Sequence, residues 1–278
     1  MREEEETLST LLSVTKATRS LFHHDNPTTM PGGSFVSASL LQSLSKEATN
    51  FFEANIALHE DPMSVAVKTT GQSKSPRWNA ERKFRISSTK AHGVWIRKRD
   101  FESLVNRMLS QKKFTSRATS YGTRNESVAR KALEALLSTK IFETGLVVLP
   151  YQPWLCCSPD GLVCINGETV VTEIKCPYSR EGLPVVDEAG KVSFVKYLTY
   201  VDDKLTLKKS HEYFTQIQVQ MYIMNLSKAI LYVYSSVQSV YLYINRDDEF
   251  LLPLIAKLEH FFFTKLLPCL QPQNVCVS

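Results

Sequence analysis

The run from Cys157 to Pro177, CSPDGLVCINGETVVTEIKCP, limits the fold more than any other stretch of this 278-residue chain. Asn166-Gly167 stands between two apolar runs, the pattern of a two-residue hairpin turn. The turn sets a strand containing Asp160 antiparallel to one containing Glu173. Side chains alternate along a strand, so Glu173 and Lys175 share one face while Thr172 and Ile174 point to the other. Val170, Val171, Ile174 and Cys176 mark an interior strand, where unpaired charges are rare. Two carboxylates converging from neighbouring strands can hold a hard divalent cation through oxygen and leave water positions open for a phosphate. A lysine beside them can orient a nucleophile or offset charge in a transition state. The same spacing also fits a plain hairpin, with Asp160-Gly161 in a turn and Glu173 and Lys175 as exposed cross-strand charges.

Upstream, 3–22 places Leu8, Leu11 and Leu12 at helical spacing behind an acidic first turn, which suits the helix dipole. Pro27, Pro31, Gly32 and Gly33 break it, and a second helix is predicted over 37–59. The polar stretch 69–76, TTGQSKSP, is taken as a boundary, giving a helical N-terminal extension of residues 1–75 and a core of residues 76–278. Within the core, periodicity predicts helices over 98–109, 123–137, 210–226 and 247–267. It predicts strands over 146–149, 156–163, 169–175, 230–234 and 237–244. That order implies an α/β class, a central mixed sheet flanked by helices.

Charge is unevenly placed. The net charge is +5, yet the stretch from Lys74 to Lys140 holds 17 Lys and Arg against 5 Asp and Glu. A basic quarter on an otherwise acidic chain suggests a polyanion partner. The six cysteines make no CxxC pair, so a zinc site is not expected and reduced thiols fit an intracellular protein, nuclear or cytoplasmic. No segment has the length and apolarity of a membrane span, and the acidic start MREEEE is unlike a secretory signal.

Four blocks carry a resemblance: WNAERKFRISSTKA (78–91), YGTRNESVARKAL (121–133), CSPDGLV with EIKCPYS, and YFTQIQVQMYIM (213–224). Together they resemble the phage lambda exonuclease and its YqaJ-like viral recombinase relatives, of the PD-(D/E)xK nuclease superfamily. The resemblance implies a restriction-endonuclease-like core and a metal-dependent deoxyribonuclease, digesting double-stranded DNA ends in the 5′-to-3′ direction in recombination or viral DNA processing. It implies Mg²⁺, with Mn²⁺ able to substitute, and two ions. The metal ligands would be Asp160, Glu173 and the main-chain carbonyl of Ile174, with Glu126 supporting the second ion. Lys175 would be the catalytic lysine, Gln216 would sit by the nucleophile and Tyr213 would flank the site close to the DNA.

Residue chemistry leaves alternatives at two of these positions. Glu126 has Arg130 four residues on, a helical ion pair in its own right. Gln216 and Gln220 share a helix face that Gln218 does not. The resemblance also implies a 5′-phosphate pocket of Arg82, Thr89 and Ser158, with Arg85 and Ser88 as close competitors and Trp78 as a packing residue. On the predicted strand over 156–163, Ser158 and Asp160 would share a face. Expected partners are double-stranded DNA, further copies of the chain and a single-strand annealing protein. The segment 179–209 is longer than the compact phage pattern needs and puts a ring-shaped trimer in doubt. An endonuclease on the same fold and a silent DNA-binding module are the competing readings.

Overall fold

A computed structural model describes residue 40, residues 43–110 and residues 116–271. The helix predicted over 3–22 lies outside the described residues. The chain divides into two compact units: one of residues 1–110, 145–158 and 247–278, the other of residues 111–144 and 159–246. The boundary expected at 75/76 falls inside the first of these.

The second unit opens with helix α1 (Arg117–Leu137), capped where Ser116 accepts from the Thr119 amide. It continues through β1 (Ile141–Phe142), β2 (Gly161–Ile165) and β3 (Glu168–Lys175). Two short hairpins follow, β4 (Val186–Asp187) with β5 (Val192–Ser193), and β6 (Leu198–Val201) with β7 (Lys204–Leu207). Helix α2 (Glu212–Ile223), then β8 (Lys228–Tyr234) and β9 (Ser239–Asn245), complete it.

Five strands make one mixed sheet in the order β9-β8-β3-β2-β1, in which only the β8–β3 pair is parallel. The β2–β3 hairpin closes at Ile165 opposite Glu168, with Asn166 at φ 51° and Gly167 at φ 80°, as a two-residue primed turn requires. Gly161 is fixed by close approach, because a Cβ there would lie 2.4 Å from the Ile141 side chain. Ala129 and Leu133 of α1 pack with Val163, Val170, Ile174, Ile230 and Tyr232 on one face of the sheet. The alternation predicted for β3 holds: Ile174 joins this core, and Glu173 and Lys175 turn to the other face, against α2.

The first unit holds a three-stranded sheet, in which Gln152–Cys157 lies between Ile86–Ser87 and Val147–Leu149. The strand predicted over 156–163 is therefore two strands in two different sheets, ending at Cys157 and resuming at Gly161. Pro159 helps to break it, since it has no amide to give a ladder. Ser158 and Asp160 both lie between these strands and so do not share a strand face, contrary to the expectation from sequence.

Two further helices, Pro76–Lys83 and Ser88–Trp95, occupy the first resemblance block, where periodicity had marked none. The helix predicted over 37–59 is present as Lys46–Asn55, and Pro62–Lys68 is an unpredicted helix. Thr69, placed in a polar boundary, is buried: it donates to the Val65 carbonyl and accepts from the Leu146 amide.

Candidate active site

Strand β3 delivers two charges into a closed environment. Glu173 is 2% exposed, and three donors converge on its carboxylate. Oε1 accepts from Lys175 Nζ at 2.5 Å and from Gln216 Nε2 at 2.6 Å, while Oε2 accepts from Gln220 Nε2 at 2.7 Å. Gln216 and Gln220 are one helical turn apart on α2, so one helix face supplies both amides. Gln218, on another face, donates instead to the Asn245 carbonyl. The side-chain amide oxygen of Gln220, Oε1, is buried with no hydrogen-bond partner among the described residues.

Asp160 reaches the same place from the end of the neighbouring strand. Pairing of β2 with β3 ends at Gly161 opposite Thr172, and beyond it the Asp160 Oδ2 accepts from the Ile174 amide at 2.6 Å. The amide and carbonyl of a strand residue point to the same edge, so the Ile174 carbonyl also lies on the Asp160 side. Burial pushes the Asp160 carboxyl well above the usual carboxylate range, and the Glu173 charge adds to this. Lys175 and the Ile174 amide pull the other way. For Lys175, burial disfavours the charge, but Glu173 and Asp160 outweigh it and hold the ammonium above its usual range. Its Nζ also lies 4.5 Å from the centre of the Tyr213 ring.

Glu126 stands in the electrostatic field of this cluster. Burial raises its pKa; Arg130 opposes the shift, and Glu173 and Glu143 add to it. Arg130 Nη2 donates to Glu126 at 2.9 Å, and Nη1 pairs with Glu143. The helical ion pair foreseen for Glu126 is thus present. Among the described residues no three Asp, Glu, His or Cys side chains gather as a metal-ligand set.

The donor chemistry nevertheless fits a hard cation. Two carboxylates and a backbone carbonyl form an oxygen-only set. Repulsion between Asp160 and Glu173 is what a cation would relieve, and the Asp160 Oδ1 has no protein donor among the described residues.

In the first unit, Arg82, Thr89 and Ser158 come together around Trp78. The Arg82 guanidinium lies 3.9 Å over the Trp78 ring and donates to Thr89 Oγ1 at 3.3 Å. The indole of Trp78 donates to Ser158 Oγ at 2.7 Å. Trp78 also packs against the cluster of Val65, Leu146, Val148 and Cys156, the packing role expected of it. Arg85 is committed elsewhere, to the carbonyls of Pro153, Ile56 and Glu81 and the Glu81 carboxylate. Ser88 is buried. Lys90, unremarked in the sequence, lies close enough that Arg82 adds to burial in lowering its pKa, and burial lowers that of Arg82. Neither cation has a carboxylate within ion-pair distance among the described residues.

The YqaJ-like viral recombinase domain matches residues 77–227, more than half of the chain. The chain belongs to the YqaJ-like viral recombinase family. An alkaline nuclease of Orgyia pseudotsugata multicapsid polyhedrosis virus is 24% identical over 206 residues, 68% of this chain; the chain spans 47% of that relative's length. The fold resembles that of an alkaline exonuclease (LHK-Exo) from Laribacter hongkongensis, at TM-score 0.52 and 22% identity over 70% of this chain and 93% of that one. It also resembles SOX of KSHV in a complex with RNA, at TM-score 0.54 and 15% identity over 78% of this chain and 81% of the other. Among the described residues no helix is long and apolar enough to cross a membrane, and the five cysteines described are free thiols.

Proposed function

We propose that this chain is a divalent-metal-dependent deoxyribonuclease that digests double-stranded DNA from its ends in the 5′-to-3′ direction. The observation that carries the reading is the Glu173 carboxylate, buried on an interior strand and held by Lys175, Gln216 and Gln220 beside Asp160. Removing charge from water is costly, and a carboxylate pair at one strand end has a physical use only if a cation or a proton joins it. Membership of the family and likeness to an alkaline nuclease support the same reading.

Asp160, Glu173 and the Ile174 carbonyl would hold Mg²⁺ or Mn²⁺, with Glu126 toward a second ion. The cation supplies Lewis acidity to a phosphate and its attacking water. The protein supplies the rest. Lys175 presents a fixed ammonium toward the charge that develops during phosphodiester cleavage. Gln216 fixes the Oε1 atom of Glu173, and the Tyr213 ring lies against the Lys175 ammonium.

Arg82, Thr89 and Ser158, with Lys90 adding charge, would receive a 5′-phosphate. A guanidinium fork with hydroxyl donors suits phosphate oxygens, and two cations with no acid partner among the described residues suit a dianion. Residues 76–278 would carry the nuclease core.

The test is digestion of end-labelled linear and covalently closed DNA with Mg²⁺, Mn²⁺ or EDTA. Metal-dependent release of 5′ label from linear duplexes, with closed circles intact, is expected. Nicking of closed circles would favour an endonuclease; binding without cleavage in either metal would leave only a silent DNA-binding module.

A further inference from the structure

The two hairpins between Lys175 and α2 have a packed interior of their own. Val185, Val186, Val195, Tyr197, Leu198 and Leu207 are buried. The Gln238 side chain, in the β8–β9 turn, accepts from the amides of Val185 and Val186 at 2.7 and 2.9 Å. The Tyr197 carbonyl accepts from the Lys208 amide at 2.9 Å, which closes the second hairpin against the start of α2. The segment is thus tied to its surroundings near both ends and buries six apolar side chains between them.

Tyr197 is the residue this segment sends inward. It is 5% exposed, and its ring meets Tyr213 edge to face at 4.9 Å and 64°. His211, which caps α2 by accepting from the Tyr213 amide at 3.2 Å, lies 5.4 Å from the Tyr197 ring and 4.7 Å from that of Tyr213. The Tyr213 ring thus has Tyr197 and His211 packed against it and the Lys175 ammonium 4.5 Å from its centre. The Tyr197 hydroxyl is buried with no partner among the described residues, so polar bonding does not account for its place; its ring contacts do. Lysine is a point charge on a flexible four-carbon stem, and an ammonium stays in one position only when its surroundings exclude the others.

We propose that Tyr197 is a positioning residue for Lys175, acting through Tyr213, so that the segment 178–209 forms a wall of the reaction centre. The proposal rests on the nuclease reading of Asp160, Glu173 and Lys175.

Two measurements test it. In the first, kcat and KM on linear duplex DNA are measured for wild type, Tyr197→Leu, Tyr197→Phe, Tyr213→Leu and the double Leu variant. Misplacement of a reacting group costs about ten- to a hundredfold, so Tyr197→Leu should lower kcat by that order and leave KM for DNA unchanged. Tyr197→Phe, which keeps the ring, should retain most of the wild-type kcat. The double variant should be no slower than Tyr213→Leu alone, because contacting residues in one chain of action do not add. Additive losses, or a change in KM alone, would overturn the proposal.

The second measurement needs no activity. In metal-free protein labelled with ¹³C-lysine, the Lys175 ε-methylene signal, identified by its loss in Lys175→Arg, should lie upfield under the Tyr213 ring current. It should move toward the free-lysine value in Tyr197→Leu and stay in place in Tyr197→Phe. Where the Leu variant does not fold, Tyr197→Met, whose unbranched side chain adapts to irregular gaps, reads the same shift. A signal unmoved by loss of the ring would sink the idea. Wild-type protein that cuts no DNA would instead defeat the nuclease reading, and the lysine signal would still decide the positional claim.

Discussion

Three donors on one buried carboxylate leave Glu173 about one lone-pair site of the roughly four a carboxylate offers. Such a group is oriented as well as charged, and its amide donors matter as much as the lysine. Asp160→Ala and Glu173→Ala should each abolish cleavage while leaving the fold and most DNA affinity, because backbone contacts supply non-specific binding; near wild-type activity in either would reject the assignment. Gln220→Leu should weaken Mg²⁺ activation or cleavage by about ten- to a hundredfold, the usual cost of losing a group that orients a ligand. A Mg²⁺ titration of the initial rate reads this directly.

The pH dependence follows from Asp160. Its folded-state pKa lies well above the ordinary value, so its contribution to stability is complete below that ordinary value and is lost as pH rises through the raised one. Metal-free protein should therefore lose stability from this source on going from acid toward neutral pH. Cation binding must displace the same proton, so half-saturating Mg²⁺ should fall as pH rises. Melting curves against Mg²⁺ at pH 5.5 and pH 8, conditions chosen to bracket roughly neutral pH, should show the larger Mg²⁺ shift at the higher pH. Asp160→Asn should remove the difference.

At the level of elements, what could be read from the residues was whatever local chemistry decides. Asn166-Gly167 fixes the β2–β3 turn, and strand alternation alone places Glu173 and Lys175 on one face. The i, i+4 pair Gln216 and Gln220 was visible as a shared face, yet only the structure puts both amides on one carboxylate. What periodicity could not show were elements whose pattern is set by distant partners. The helices Pro76–Lys83 and Ser88–Trp95 are short and polar, and their reason is the packing of Trp78 and Arg85 into a sheet whose other strands come 60 and more residues later. Likewise the apolar run through Cys156 and Val163 read as one strand, because sequence hydrophobicity does not say that the chain changes sheets at Pro159. Tyr197 had no local signal at all.

The elements around Trp78 carry their own prediction. Arg82→Ala should erase most of the preference for 5′-phosphate over 5′-hydroxyl ends, while Arg85→Ala should cost stability, since it strips three carbonyls of a buried donor. Equal rates of wild-type protein on both end types would reject the pocket.

On the scale of the whole molecule, the question is whether the basic stretch from Lys74 to Lys140 is a DNA surface or a solvated face. The structure narrows the experiment. Arg117, Arg124 and Lys131 are exposed on α1, the helix that also bears Glu126, and none has an acid partner among the described residues. Arg130, on the same helix, is spoken for by Glu126 and Glu143 and so is a poor probe. At the other end of the chain, Lys257 donates to the carbonyls of Trp95 and Arg97, a capping role, which makes its loss a stability change and not a surface-charge change. Lys265 is exposed and serves as the control. Reversing Arg117, Arg124 and Lys131 together to Glu should weaken duplex binding and flatten its salt dependence. The slope of log affinity against log salt should drop by about 0.9 for each phosphate contact removed. Lys265→Glu should change neither quantity beyond what one unit of net charge does at long range, an effect screened over about 8 Å at physiological ionic strength. Binding measured by fluorescence anisotropy across a salt series, in Ca²⁺ or EDTA so that no strand is cut, separates the two cases. Parallel lines for the triple variant and wild type, displaced but of equal slope, would mean that these side chains touch no phosphate and that the charge asymmetry serves solubility.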